Sequence, residues 1–197
     1  MRPIELKIKG INSYREEQVI NFNQLTSQGF FGIFGPTGSG KSTILDAITL
    51  ALYAKLPRGS KNFININETS ASVSFHFSIT TTETKEYLVE RSFRYPGKDR
   101  SSTARNTTAR LSLLSDIDTE VLADKPTDVT RSCIDLLGLS SDDFLRTVVL
   151  PQGQFIDFLI LKNQERRGMI QRIFHLERYG IELTRKVAAA RQRMDIE

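Results

Sequence analysis

Nine consecutive residues, Gly35-Pro36-Thr37-Gly38-Ser39-Gly40-Lys41-Ser42-Thr43, have the types and spacing needed to hold a polyphosphate. They fit the pattern G-x-x-x-x-G-K-[ST] in full. Glycine lets backbone amides close around anionic oxygens where a side chain would intrude. A helix starting at once behind the loop offers unpaired amides and its positive end to the same anion. In such a loop the lysine, here Lys41, reaches the β/γ-phosphates, and the hydroxyl of Ser42 is the expected Mg2+ ligand. The chemistry predicted is nucleotide binding.

The flanking sequence supplies the required positioning. "GFFGIFG" (Gly29–Gly35) is an almost unbroken apolar run and predicts a buried strand entering the loop. "KSTILDAITLALYA" (Lys41–Ala54) predicts the helix leaving it, with Ile44, Leu45, Ile48 and Leu52 on one face. Hydrolysis needs more: a carboxylate pair at the end of a second apolar strand, to hold the metal and polarise water. "LSLLSDIDTE" (Leu111–Glu120) imitates it, but Ser112 and Ser115 interrupt the apolar run, and a hairpin turn through Asp116–Thr119 explains the stretch better. "LLGLSS" (Leu136–Ser141) lacks the paired glycines that would meet a γ-phosphate from a second subunit. The residues therefore predict a chain that binds a nucleotide without the groups to cleave it alone.

Around this loop the pattern is mixed α/β. "IELKIKGI" alternates Ile4, Leu6 and Ile8 with charged residues and predicts a half-buried strand; "QVINF" (Gln18–Phe22) predicts a second after a turn near Asn12–Glu17. Val73, Phe75, Phe77 and Ile79 alternate with Ser72, Ser74, His76 and Ser78. "EYLVERSF" (Glu86–Phe93) and "ARLSLLS" (Ala109–Ser115) predict antiparallel neighbours, joined by a polar loop over Arg94–Thr108. "DVTRSCIDLLG" predicts a short helix stopped by Gly138, and Ser140 with Asp143 the capped start of another. From Met169 to Met194 apolar residues fall alternately four and three apart, a heptad seam. The expected organisation is a nucleotide-binding lobe over residues 1–164 and a helix leading into a coiled coil over 165–197. That helix reaches Glu197 without a terminator, which predicts that the natural chain continues.

Composition narrows the class. The 197 residues are 39% hydrophobic and 25% charged, as in ordinary globular proteins. The single cysteine, Cys133, forbids an internal disulfide and reads as a small core residue. No apolar run approaches the ~18 residues of a membrane span, and "MRPIELKIKG" has no signal-peptide core, so a reduced, cytoplasmic protein is expected with no membrane partner. A net charge of +4 is a mild bias toward polyanions. His76 and His175 have no metal-ligand spacing.

A second stretch, "VVLPQGQF" (Val148–Phe155), puts glutamines in a Pro/Gly-distorted turn after an apolar run. Such a glutamine could reach a Mg2+ or its water, but taken alone the stretch reads better as a surface loop. Together, "GPTGSGKSTILDAITLALYAKLPR", "VVLPQGQFIDFL" and "ERRGMIQRIFHLERY", in that order, resemble the N-terminal part of the SbcC family. These are the ATPase subunits of the SbcCD nuclease, among the structural-maintenance-of-chromosomes-like ABC ATPases. The resemblance runs along the whole chain. It implies a P-loop NTPase head whose signature segment, Walker B carboxylates and switch histidine lie in a C-terminal lobe beyond a long coiled coil. It implies ATP and Mg2+ as ligands, with Gly35 to Thr43 on the triphosphate and Gln152, ahead of Gln154, as the Q-loop residue on the metal. It places Asn12, Ser13 and Tyr14 near the nucleotide, although Asn12-Ser13 stands where the family often carries Gly-Pro. The implied partners are the C-terminal lobe of the same protein, a second head in a homodimer, an SbcD-like nuclease subunit and double-stranded DNA, in a cytoplasmic, nucleoid-associated setting of DNA repair.

Arg91, Arg94, Lys98, Arg100, Arg105 and Arg110 cluster in the β-rich insert and could pair with DNA phosphates, or simply form a solvated basic loop. Arg166, Arg167 and Arg172 could mark where the nuclease subunit docks. The alternatives are a lobe of another SMC/RecF-like DNA-maintenance ATPase and, ranked after it, an ABC-transporter ATPase domain.

Overall fold

The computed structural model describes residues 1–26, 29–56, 62–97, 102–115 and 118–149, together with the single positions Val187 and Arg191. The chain divides into two units, Met1–Leu137 and Gly138–Glu197. The first is built on six strands: β1 (Arg2–Lys9), β2 (Gln18–Asn21), β3 (Ser70–Thr80), β4 (Thr84–Arg94), β5 (Arg105–Leu114) and β6 (Thr119–Ala123). They form one sheet in the order β2-β1-β3-β4-β5-β6, every neighbouring pair antiparallel.

The period-two pattern decides which face is covered. Leu6 and Ile8 of β1, Val73, Phe75 and Phe77 of β3, Val89 and Phe93 of β4 and Leu111 of β5 are all buried. Phe75, Phe77 and Tyr87 stack in succession, with ring centroids 5.2 and 5.7 Å apart, which adds aromatic contact to the area removed from water. Against the sheet lie α2 (Lys41–Tyr53), which touches β3 and β4, and α3 (Pro126–Leu137), which touches β5 and α2. A single-turn helix, α1 (Phe22–Leu25), is capped by the Asn21 side chain and packs on β1.

On either side of the hairpin turn expected at Asp116–Thr119, β5 and β6 pair antiparallel, and the Ser115 amide donates to the Asp118 carbonyl at 3.0 Å. Cys133 is fully buried, as expected of a core thiol, and Gly138 takes a φ of +66° where α3 stops. In the second unit Ser140 caps α4 (Ser141–Phe144), accepting from the Asp143 amide at 3.2 Å, and a π-helical stretch follows at Leu145–Val149. The boundary expected at 164/165 and the heptad segment lie outside the described residues.

Three expectations need correction. The polar loop is shorter than Arg94–Thr108, because Arg105–Thr108 already belong to β5: Asn106 pairs with Phe93 and Thr108 with Ser92 across a bulge. Leu45 is 38% exposed, so it lies off the buried face of α2. Gly29–Gly35 is not a buried strand. Phe30, Phe31, Ile33 and Phe34 are 84, 37, 41 and 93% exposed, and none of the six strands pairs with the segment. A buried strand needs neighbours for its backbone N–H and C=O groups. The apolar run is present, but the described residues offer it no sheet.

Candidate nucleotide-binding site

The loop Gly35–Gly40 leads directly into α2, whose first residue is Lys41. Gly35, Gly38 and Gly40 take φ values of +157°, +87° and +92°. The last two lie in the left-handed region that glycine enters without steric cost. Gly40 is the N-cap of α2 and provides no side-chain cap, so no side chain occupies the start of the helix, although the Thr43 amide donates to the Gly40 carbonyl at 3.0 Å.

Lys41 is folded back over the loop. Its Nζ donates to the carbonyls of Gly35 at 2.7 Å and Pro36 at 2.6 Å, and lies 3.4 Å from Ser39 Oγ. The ammonium group is thus held against the loop's own carbonyls. Ser42 is exposed at the mouth of the helix, while Thr43 is buried beneath it.

The turn Ile11–Tyr14 lies against this loop. Asn12 Nδ2 is 3.4 Å from Thr43 Oγ1; Ser13 Oγ donates to the Gly38 carbonyl at 2.7 Å; Tyr14 Oη approaches the Gly40 carbonyl at 3.4 Å. The three residues that the resemblance singled out are therefore brought against Gly38 and Gly40 of the loop and Thr43 in the first turn of α2. Partial burial raises the Tyr14 pKa above the usual phenol range, so the hydroxyl stays protonated and able to donate.

The residues matching the AAA domain family run from 5 to 195. The chain belongs to the AAA domain family. It is 51% identical over 188 residues to the SbcC subunit of nuclease SbcCD from Clostridium acetobutylicum, and 50% identical over 190 residues to the same subunit from Bacillus subtilis. Each alignment covers 95% of this chain and 16% of the relative. It is also 32% identical over 194 residues to a probable DNA double-strand break repair Rad50 ATPase of Aquifex aeolicus, covering 96% of this chain and 18% of that protein. The chain thus spans about a sixth of the length of these relatives. Among solved structures, an SMC head domain from Thermotoga maritima matches 58% of this chain and 39% of its own, with 31% identity and a TM-score of 0.37.

The other candidates are dispersed. Gln152 and Gln154 lie outside the described residues, as do Lys98, Arg100, Arg166, Arg167, Arg172 and His175. Arg94, Arg105 and Arg110 are exposed on β4 and β5, with Arg94 directly opposite Arg105 and Arg110 opposite Glu90. The broad outer face of the sheet carries Lys7 and Lys9 but also Glu5 and Glu90, so its charge is mixed. His76 Nε2 lies 2.8 Å from Glu86 Oε2 across β3 and β4.

Arg91 is not a DNA-facing residue. It is 2% exposed and points inward, where Nε donates to the Ala51 carbonyl at 2.5 Å and Nη2 to the Leu52 carbonyl at 3.1 Å. Nη2 also reaches Thr130 Oγ1 at 3.0 Å, and Nη1 the Pro126 carbonyl at 3.3 Å. With the Asn106 amide oriented so that its oxygen faces the guanidinium, Nη1 donates to it at 2.7 Å. The last carbonyls of α2 have no helical N–H partner, and a cation there also meets the negative end of the helix. Arg91 therefore closes the far end of the same helix whose near end carries Lys41. Burial lowers its pKa, and burial pushes the neighbouring Cys133 thiol up to about 11 despite the guanidinium.

Proposed function

We propose that this chain is the MgATP-binding N-terminal lobe of an SbcC-like DNA-repair ATPase, covering residues 1–164 with a helix into a coiled coil over 165–197. The observation that carries the reading is the loop itself: left-handed glycines at 38 and 40, an uncapped helix start, and Lys41 poised over the Gly35 and Pro36 carbonyls. In this reading Gly35 to Thr43 hold the triphosphate, Ser42 ligates Mg2+, Gln152 reaches the same metal, and Asn12, Ser13 and Tyr14 flank the site. The bound Mg2+ would supply charge neutralisation at the β- and γ-phosphates.

Two features support a composite head. The described residues provide no carboxylate pair beside Ser42, since the one sequence imitation forms the β5–β6 hairpin. The exposed apolar segment Phe30–Phe34 suits an added strand from the C-terminal lobe, and most of the length of the relatives lies beyond this chain. The full protein would then be the ATPase of a nuclease complex, engaging a second head as a homodimer, an SbcD-like nuclease subunit and double-stranded DNA in the cytoplasm near the nucleoid. Arg94, Arg105 and Arg110 remain the exposed candidates for phosphate contact. The test is turnover: the chain alone should bind MgATP with negligible hydrolysis, and adding the C-terminal lobe should restore it. Equal turnover with and without that lobe would refute the reading.

A further inference from the structure

Among the described residues, Asn12 is one of two non-glycine residues with positive φ, at +47°, a conformation that asparagine adopts more readily than most but that still needs support. The support comes from a distant segment, residues 62–68. The Asn12 amide donates to the Phe63 carbonyl at 2.7 Å, and the Asn12 carbonyl accepts from Asn65 Nδ2 at 2.6 Å. The Asn65 amide donates to the Gly10 carbonyl at 2.8 Å, and Ile64 bridges to Ile11. Asn65 cannot swing away freely, because its Oδ1 accepts from the Asn67 amide at 2.9 Å. The backbone of the turn is thus gripped on both sides of Ile11. The turn's own side chains, from Asn12, Ser13 and Tyr14, reach Thr43, Gly38 and Gly40.

We propose that Asn65 is a positioning residue of the phosphate loop, acting through the Asn12–Tyr14 turn to hold Gly38 and Gly40 in their binding shape before ligand arrives. The inference rests on the nucleotide-site reading above and assigns Asn65 no contact with ligand. A clamp of this kind lowers the cost of ordering the loop. Its effect falls on the phosphate subsite, so it is the same for any polyphosphate whether or not a base is attached.

The test compares MgATP with magnesium tripolyphosphate, which has no base, on wild type, Asn65→Ala and Asn65→Asp. Asn65→Asp keeps the acceptor for the Asn67 amide and replaces the donor to Asn12 with a carboxylate oxygen, so it separates loss of the clamp from loss of the local turn, and titration at high salt screens its added charge from the anionic ligands. Removing one such hydrogen bond is expected to weaken binding about five- to tenfold. The inference predicts that both variants weaken ATP and tripolyphosphate by the same factor. A loss confined to ATP would show a contact with the base or sugar and overturn it. A lowered urea midpoint with wild-type affinity for both ligands would show a purely structural residue and overturn it equally. Wild type that binds neither ligand would instead overturn the nucleotide-site reading itself.

Discussion

The ring of Tyr14 lies over Gly40, so close that a Cβ built on that glycine would fall 2.8 to 3.1 Å from three of its atoms. Tyr14 is thus packed on the last glycine of the phosphate loop, at the residue where α2 begins. Gly40→Ala must both enter a left-handed φ of +92° and push this ring aside. Nucleotide affinity should fall more than tenfold, a loss of at least ~1.4 kcal/mol. Calorimetric titration checks this, and Gly38→Ala, whose Cβ would meet nothing within 4 Å, separates the cost of conformation from that of collision.

Arg91 predicts a stability effect where a DNA contact or a solvated surface position was expected. Arg91→Met removes the partner of two α2 carbonyls and leaves them buried. A buried charge is itself costly, and an apolar replacement can be neutral when the freed groups find other partners. Here the freed groups are helix-end carbonyls under a packed sheet, so their desolvation wins. A destabilisation of about 2–4 kcal/mol is expected from urea denaturation. Arg94→Ala and Arg105→Ala, on exposed side chains, should leave the midpoint within about 0.5 kcal/mol of wild type.

Cys133 gives a pH dependence with a definite sign. Its folded pKa, about 11, lies above the ordinary thiol value of 9.0, so the folded state holds a proton that the unfolded state releases between these values. The contribution is fully present below pH 9.0 and is lost as pH rises toward 11. Near pH 11 the loss should amount to about 2 kcal/mol. Cys133→Ala should flatten that part of the profile when the two proteins are compared by urea denaturation across pH 8 to 11. Parallel profiles would contradict the assignment.

Ala54 closes α2 with φ +53°, a left-handed C-cap that costs a residue bearing a Cβ about 1–2 kcal/mol. Ala54→Gly relieves this but adds chain entropy to the unfolded state. The net expected change is a stabilisation of about 0.5–1 kcal/mol, read from the denaturant midpoint.

Much of the sheet was legible because burial on one face imposes a period of two: β4 follows it from Tyr87 to Phe93, β3 from Ala71 to Phe77 and β1 over Leu6–Ile8, whereas Ser78 is buried in place of Ile79 and Ser112 is buried beside Leu111. The same rule held an unused signal for Arg91, which shares its parity with Tyr87, Val89 and Phe93 and therefore had to point inward. Its charge suggested a surface; its register placed it in the core. The loop and α2 were legible from glycine spacing and helix periodicity together. The strand expected at Gly29–Gly35 was not, because apolar content reports the wish to be buried and not the presence of a neighbour. The grip of residues 62–68 on Asn12 was illegible as well, since it depends on a backbone meeting between segments far apart in sequence. Asn65 looks in the sequence like any loop asparagine.

The central claim is that this chain grasps a triphosphate through the Gly35–Thr43 loop. Its most direct test is titration of a fluorescent ATP analogue, with Mg2+, against wild type and Lys41→Ala. Loss of Lys41 removes the cation poised over the Gly35 and Pro36 carbonyls, and affinity should fall at least tenfold. Equal affinity for the two proteins would contradict the account.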